Sequence, residues 1–320
     1  MLAWLDPTPL LLPLTRAKSF QDPVLLGSPR LNRWGLHRLR VRLAYAVNRR
    51  RRKRLAHRLD PRDREAFDRD GFVMLPNFLP QAAFDALVAQ VRALRVDVKE
   101  RAEGSTLLRK VPVGRTVLSS APALRRLFED HRFTALMSYG EGTASAPAYY
   151  LQTVKQGHLQ GRADPQCALH RDTFHPTVKA WLYLTDVPAE AGPLVYVPGS
   201  HHLNEARLAW EKQQSLSSIA GNKAGAFRIG AHELPGLHYG QPRTLAVSAN
   251  TLVVADTFGF HARGTSSGPS TRMEVWAIGR RAPFLNAWVE AALSKLLRRG
   301  KATLWRVRAA GDAQDEASAM

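Results

Sequence analysis

Short apolar runs bounded by glycine or proline dominate the second half of the chain and restrict the folds that it can adopt. They read VKAWLYLTDV (178–187), GPLVYVPG (192–199), RTLAVSANTLVVADTF (243–258) and TRMEVWAIGR (271–280), and 146–156 alternates in a similar way. These runs are rich in the β-branched and aromatic residues that favour strands. With helices gathered before them, they predict an antiparallel barrel or jelly roll backed by helices.

The helical part of this expectation comes mainly from residues 60–98. DPRDREAFDRD starts with an Asp-Pro pair, which is typical of a capped helix, and residues 71–75 predict a strand. A second helix is expected to begin near Pro80, and the polar stretch from Asn204 to about Ala220 predicts another. The helices therefore precede or interrupt the strands of the jelly roll.

The first 62 residues differ from the rest and culminate in NRRRRKRLAHR (48–58). We expect a basic, partly helical N-terminal arm over 1–62, a folded domain over 63–285, and a C-terminal helix with a flexible tail over 286–320. The arm is open to three interpretations: a solvated surface helix, an anchor on an anionic membrane surface, or a contact to an acidic carrier protein or nucleic acid, of which nucleic acid is the least favoured. Its candidate contact residues are Arg49, Arg50, Arg51, Arg52, Lys53 and Arg54.

Charge and cysteine content restrict the partners and the cellular compartment that are expected for this protein. Its 46 Lys and Arg against 27 Asp and Glu give a net charge of +19, which favours anionic partners. Cys167 is the single cysteine, which excludes an internal disulfide and a cysteine-rich zinc site. A cytoplasmic protein, with peripheral membrane attachment as an option, is the resulting expectation. The opening MLAWLDPTPLLLPL is too short and too interrupted for a bilayer span or a signal peptide.

The stretch LHRDTFHP (169–176) carries the strongest chemical signal. In extended chain, residues i and i+2 point to the same side, so His170 and Asp172 can converge while Arg171 turns away. His261 is the candidate for the second imidazole of a two-histidine, one-carboxylate site, a set that suits Fe(II) with open coordination positions. Arg272 follows eleven residues later and can pair with the far carboxylate of a dicarboxylate co-substrate. Zinc could accept the same three ligands, but hydrolysis would not explain Arg272.

HRDTFHPTVKAWLYLTDVPAEAGPLVYVPGSHH together with FGFHARGTSSGPSTR resembles the phytanoyl-CoA dioxygenase family of Fe(II)- and 2-oxoglutarate-dependent oxygenases. The resemblance covers roughly residues 65–282. It implies a double-stranded β-helix, a cupin-like jelly roll backed by helices, in which His170, Asp172 and His261 bind iron and Arg272 binds 2-oxoglutarate. It further implies that Lys155 and Trp181 line the co-substrate pocket.

The resemblance also implies a reaction: hydroxylation of an unactivated C–H bond, with release of succinate and CO2. The substrate class is a small molecule, an acyl group or a lipid-like compound. Asp172 argues against halogenation, since halogenating relatives lack that carboxylate, whereas desaturation and cyclisation stay open. The alternative is an inactive jelly-roll binding protein tethered by its basic arm. His175 is expected to be a structural or surface histidine, with a substrate contact as the alternative, and His201 and His202 are expected to be structural or rim residues. Arg263 is open to two interpretations, a solvated side chain or a contact to an acidic group of the substrate.

Overall fold

The computed structural model describes residues 12–21, 25–144, 147–221, 226–279 and 281–285. Its α-helices are α1 Pro29–Trp34, α2 Leu36–Leu55, α3 Pro61–Asp70, α4 Gln81–Ala93, α5 Arg115–Ser120, α6 Ala123–Glu129, α7 His131–Glu141 and α8 Glu205–Ala220. Its strands are β1 Phe72–Leu75, β2 Lys99–Glu103, β3 Thr106–Pro112, β4 Ala148–Gln156, β5 Val178–Tyr183, β6 Leu194–Tyr196, β7 Arg243–Leu245, β8 Leu252–Asp256, β9 His261–Arg263 and β10 Ser270–Ile278.

The strands form two antiparallel sheets that face each other. The larger has the order β1-β8-β5-β10-β4-β3-β2, and the smaller has the order β7-β6-β9. Trp181 and Tyr183 of the larger sheet pack in one cluster with Leu194, Tyr196 and Leu245 of the smaller. The predicted jelly roll is therefore confirmed, and its interior lies between the two sheets.

The opposite face of the larger sheet is covered by helices α3 to α7. Val178, Ala180 and Leu182 of β5 point to this side, where they pack in one cluster with Phe67 and Leu136 from the helices. Because consecutive strand residues alternate in direction, the residues between them point into the jelly roll. One face of the larger sheet thus packs against the helices, and the other face lines the interior of the jelly roll, where a site can form.

The predicted helix near the N-terminus is present as α2, but it is not a separate arm. α2 lies against α7 and α8, and its Arg52 is buried, with Nη2 2.8 Å from Asp256 Oδ2. The same nitrogen donates to the Gly140 carbonyl at 2.6 Å. The expectation that Arg52 contacts an outside partner is therefore wrong, because its charge is used to join α2 to the core. The parts of the expected arm at 1–11 and 22–24, and the expected C-terminal helix and tail at 286–320, lie outside the described residues.

Helices α3, α4 and α8 and strands β1, β4 and β10 appear within two residues of their predicted bounds, whereas β5 and β6 end four and three residues before the ends of the runs 178–187 and 192–199. The run 243–258 instead divides into β7 and β8, with Asn250 at φ 62° in the turn between them. The β2–β3 hairpin and the short strand β9 did not emerge from the sequence. Within the described part of the chain, no helix combines the length and the apolar character needed to cross a membrane.

Candidate metal centre

The three predicted ligands meet at the end of the jelly roll where β9 begins. His170 and His261 are direct cross-strand partners, since each donates its backbone N–H to the other's carbonyl at 2.9 Å. The Asp172 N–H donates to the Thr257 carbonyl at 3.1 Å. The candidate ligand atoms of the three side chains lie within 4.8 Å of one another, which no other group of His, Cys, Asp and Glu does among the described residues. Backbone pairing therefore brings His261 next to His170 and Asp172, although it lies 91 and 89 positions after them in the chain.

The orientation of both imidazoles fits metal ligation. His170 Nδ1 lies 2.8 Å from the Ala168 carbonyl, and His261 Nδ1 lies 2.9 Å from the Gly259 carbonyl. A carbonyl can only accept, so Nδ1 carries the proton in each ring and Nε2 keeps its lone pair. The two Nε2 atoms are 3.9 Å and 3.7 Å from the Asp172 carboxylate oxygens. Two imidazole nitrogens and one carboxylate with fixed outer hydrogen bonds are a fitting donor set for a divalent transition metal.

Electrostatics keep each ligand in its metal-binding protonation state. Burial lowers the pKa of His170 to about 3, helped by the neighbouring His261, and burial also lowers the pKa of His261. Burial alone would raise the pKa of Asp172, but Lys179 and the two imidazoles outweigh it and hold that pKa below its usual range. The imidazoles are thus neutral and the carboxylate is ionised at neutral pH, as metal coordination requires.

Asp172 is held from two directions by lysines. Lys179 Nζ of β5 lies 2.6 Å from Asp172 Oδ2. Lys18 Nζ, from the segment before α1, donates to the Asp172 carbonyl at 2.7 Å. These contacts orient both the backbone and the carboxylate of Asp172 without a metal. Lys179 pairs with Oδ2, which leaves Oδ1 as the candidate metal-binding oxygen.

Arg171, between two of the ligands, turns away from them as expected and is fully buried. Its Nε and Nη2 donate to Glu211 of α8 at 2.7 and 2.6 Å. Arg207 Nε donates to the same carboxylate at 3.1 Å, and His37 Nε2 of α2 lies 2.9 Å from it. This buried cluster of His37, Arg171, Arg207 and Glu211, which we call the Glu211 cluster, anchors the ligand-bearing stretch from behind.

A cavity of about 200 Å³ opens next to the three ligands. Charged groups and aromatic rings from both sheets surround it. Its lining includes Lys110, Gln152, Lys179, Trp181, Arg263, Arg272, Glu274 and Trp276.

Arg272 faces this cavity and is oriented by two contacts. Its Nε lies 3.2 Å from Glu274 Oε2, and its Nη1 donates to the Gly192 carbonyl at 2.9 Å. Gly192 has φ 72°, and a Cβ there would collide with the Gln156 side chain, so this position requires glycine. Gln152 in turn donates to Glu274 Oε1 at 2.5 Å. Arg272 therefore enters the cavity as half of an ion pair, which the sequence did not reveal.

Of the two further residues expected in the pocket, the structure places only Trp181 there. The prediction for Lys155 is wrong. Val154 is the cross-strand partner of Arg272 and therefore points to the cavity side, whereas Lys155, the partner of Thr271, points to the opposite side of the sheet.

Two other lysines line the cavity: Lys179, which pairs with Asp172, and Lys110 of β3, whose Nζ lies 4.3 Å from the Trp276 ring centre. In β3, whose sequence is TLLRKVP, Leu108 and Lys110 are two residues apart and both point into the cavity. This pattern could be recognised only once β3 was known to be a strand of this sheet.

The remaining candidates are mainly structural. His175 and His201 are buried away from the cavity lining, and His202 is exposed. Arg263 is not a solvated side chain: it lines the cavity and pairs with Asp164 and, at 3.4 Å, with Glu103. It ties β9 to the hairpin and to the loop before His170.

Comparison with known proteins places this geometry in context. Residues 67–220 match the sequence model described as phytanoyl-CoA dioxygenase (PhyH). This match includes His170 and Asp172 and ends before His261. No curated protein matches the sequence.

The solved structures that are similar to the chain at low sequence identity include an alpha ketoglutarate dependent enzyme and one with 2-oxoglutarate bound. The non-heme alpha ketoglutarate dependent epimerase SnoN from nogalamycin biosynthesis is 23% identical over 68% of this chain and 81% of its own, with a TM-score of 0.47. HygX from Streptomyces hygroscopicus, with nickel, 2-oxoglutarate and hygromycin B bound, is 17% identical over 69% of this chain and 87% of its own, with a TM-score of 0.46.

Proposed function

We propose that this chain, whose residues 67–220 belong to the phytanoyl-CoA dioxygenase family, is a non-haem Fe(II)- and 2-oxoglutarate-dependent dioxygenase. The observation that carries the proposal is the convergence of His170, Asp172 and His261 beside a cavity that also contains Arg272. The three protein ligands occupy one side of the site, and the cavity occupies the other. A hydrolytic zinc site would use the ligands but would give Arg272 no role.

In this proposal His170 Nε2, His261 Nε2 and one oxygen of Asp172 hold the iron. When bound, Fe(II) couples the decarboxylation of 2-oxoglutarate by O2 to substrate oxidation, so that one oxygen atom enters succinate and the other enters the hydroxylated product. The carbonyls of Ala168 and Gly259 keep the imidazoles in the ligating tautomer. Asp172, which halogenating relatives lack, favours hydroxylation.

The far carboxylate of 2-oxoglutarate would pair with Arg272, whose guanidinium is already oriented by Gly192 and Glu274. Lys110 supplies a further cation in the same cavity, where Lys179 and Arg263 are already paired with carboxylates. Burial lowers the pKa of Lys110. Trp181 contributes an apolar wall that keeps water from the co-substrate. The substrate class we propose is a small molecule, an acyl group or a lipid-like compound with an unactivated C–H bond.

The test begins with anaerobic Fe(II) loading, followed by exposure to O2 with 2-oxoglutarate and an assay for succinate. We expect the wild-type chain to bind one equivalent of iron and to form succinate slowly even without its substrate. His170→Ala should lose both properties, and His202→Ala, which changes an exposed histidine outside the ligand set, should lose neither. Absence of iron binding by the wild type would contradict the proposal.

The two lysines allow the co-substrate site to be tested separately. Lys110→Ala should raise the KM for 2-oxoglutarate on the order of tenfold, as expected when one charge-assisted contact is lost. Lys155→Ala, on the opposite side of the sheet, should leave that KM unchanged. The reverse result would mean that 2-oxoglutarate does not occupy the cavity beside Arg272.

A further inference from the structure

One side of α2 faces solvent and differs from every other exposed surface described. α2 is fixed to the domain by its buried side, which includes Val41, Ala44 and Asn48. The opposite side follows helical spacing and is exposed at Leu39, Arg42, Leu43, Ala46, Arg49, Arg50 and Lys53. We call this set, together with Trp34 just before α2, the α2 outer face.

The apolar side chains of this face are unusually accessible. Trp34 is 85% exposed, and Leu39 and Leu43 are 53% and 50% exposed. The only other large apolar side chains exposed among the described residues are Leu14 and Val98. Three of these five side chains thus lie within residues 34–43. Exposed apolar side chains grouped in this way are typical of an interaction surface.

The charges of this face have a single sign. No Asp or Glu occurs between Pro29 and Arg58. Arg38 is the one cation near the face that pairs with a carboxylate, Glu205 of α8, at 2.6 Å. Arg42, Arg49, Arg50 and Lys53 point outward with no ion pair to a described residue. A partner that covers the face must therefore tolerate apolar side chains and supply negative charge.

We infer that the α2 outer face docks the protein onto an anionic lipid bilayer. A tryptophan and two leucines suit the headgroup boundary, while arginine and lysine attract anionic lipids. A helix of 20 residues lying flat offers a contact about 30 Å long. Nucleic acid would use the cations but would leave Leu39 and Leu43 in water, so the mixed composition favours lipid. This inference does not depend on the chemistry at the metal centre.

The experiment is co-sedimentation of the full chain with vesicles of phosphatidylcholine alone and of phosphatidylcholine mixed with phosphatidylserine. We expect binding only to the mixed vesicles, and weaker binding at higher salt. Arg49→Gln/Arg50→Gln/Lys53→Gln should weaken binding on the order of 100-fold, about fivefold for each charge. Leu39→Gln/Leu43→Gln should weaken it on the order of tenfold, because the apolar contact is removed while the charge is kept.

The matched control is Arg125→Gln/Arg126→Gln, which neutralises two neighbouring exposed arginines on α6. This variant should bind as the wild type does, and thermal unfolding should show that all variants are folded. A loss in the control of about fivefold for each charge removed, as in the α2 charge variant, would overturn the inference, since binding would then follow net charge alone. Failure of the wild type to bind, or binding to duplex DNA that is unaffected by Leu39→Gln/Leu43→Gln and tighter than binding to vesicles, would also overturn it.

Discussion

Asp172 and Glu211 are both carboxylates surrounded by cationic or basic groups, yet only one is built to accept a ligand. Glu211 is completely buried and meets Arg171, Arg207 and His37, whose donors use both of its oxygens. Asp172 keeps about a fifth of its side chain exposed and faces a cavity. Its imidazole neighbours present lone pairs, not protons.

The difference shows what distinguishes a site from a structural charge cluster. Around Glu211 the three neighbouring side chains all donate hydrogen bonds, so both oxygens of this carboxylate are satisfied within the protein. Around Asp172, two imidazole lone pairs and a carboxylate converge beside Lys179, which pairs with Oδ2. These three acceptors form a set that can bind a metal cation. Arg171 links the two centres, because it belongs to the Glu211 cluster while its chain neighbours are metal ligands.

The largest expected effect is the loss of metal binding in Asp172→Ala. This change removes the one anionic ligand and leaves Lys179 as an unpaired cation beside the two imidazoles, so iron affinity should fall by at least about 1,000-fold. Anaerobic equilibrium titration with Fe(II) measures this effect. Retained stoichiometric iron binding would show that Asp172 is not a ligand and that the contrast with Glu211 is false.

The second effect is on folding. Glu211→Gln should lower the free energy of unfolding by about 3–5 kcal/mol, because it leaves two buried arginines without a counter-charge. Urea denaturation of the metal-free protein measures it. Glu205→Gln on the same helix is the control: its carboxylate is exposed, and its pair with Arg38 should contribute less than about 1 kcal/mol. Equal losses in the two variants would show that burial of the Glu211 cluster is not what makes it important.

The third effect is pH dependence through His37. Burial lowers the pKa of His37 to about 4, despite the neighbouring Glu211. Between about pH 6.5 and about pH 4, the unfolded chain therefore binds a proton that the folded chain does not. Stability contributed by this residue is complete above about pH 6.5 and falls by about 3 kcal/mol as the pH decreases to about 4.

Denaturant midpoints measured across this pH range should show that loss. His37→Gln, which keeps a donor near Glu211, should flatten the dependence. His170 and His175, whose pKa values are lowered to about 3 by burial, still contribute in this variant. His202→Gln is the matched control, since this histidine is exposed. An unchanged slope in His37→Gln would mean that His37 is not held neutral in the folded protein.

The two centres also differ in how far the sequence revealed them. His170 and Asp172 are two residues apart, and strand geometry alone predicts that they converge. His261 and Arg272 could be added because their order and spacing match a known chemistry. The Glu211 cluster could be predicted only in part. Arg207 and Glu211 are four residues apart on one helix, a spacing that brings side chains together. Nothing in the local sequence specifies that His37 and Arg171 meet them.

Strand register explains the remaining error. Lys155 and Val154 are neighbours in the chain, and only the pairing of β4 with β10 decides which of them lies on the side of Arg272. A shift of one residue exchanges the two faces of a strand, so a sequence that predicts the strand correctly can still assign the wrong side chain to the pocket. Lys110, which does line the cavity, lies on β3, which the sequence pattern did not reveal.

Glu274 is intermediate between the two centres and gives the smallest expected effect. It is buried and paired with Arg272, as Glu211 is with its arginines, but it also lines the cavity beside the metal ligands. If Arg272 binds the far carboxylate of 2-oxoglutarate, the negative charge of Glu274 opposes that binding.

Glu274→Gln keeps an oxygen that can accept from Arg272 and removes the charge, so the Kd for 2-oxoglutarate should fall about fivefold, or about 1 kcal/mol. Calorimetric titration of the iron-loaded protein under nitrogen measures the change, and Glu190→Gln at an exposed position should leave the Kd unchanged. Weaker binding in Glu274→Gln would show instead that the ionised carboxylate is needed to orient Arg272, which would make this pair a structural cluster of the Glu211 kind.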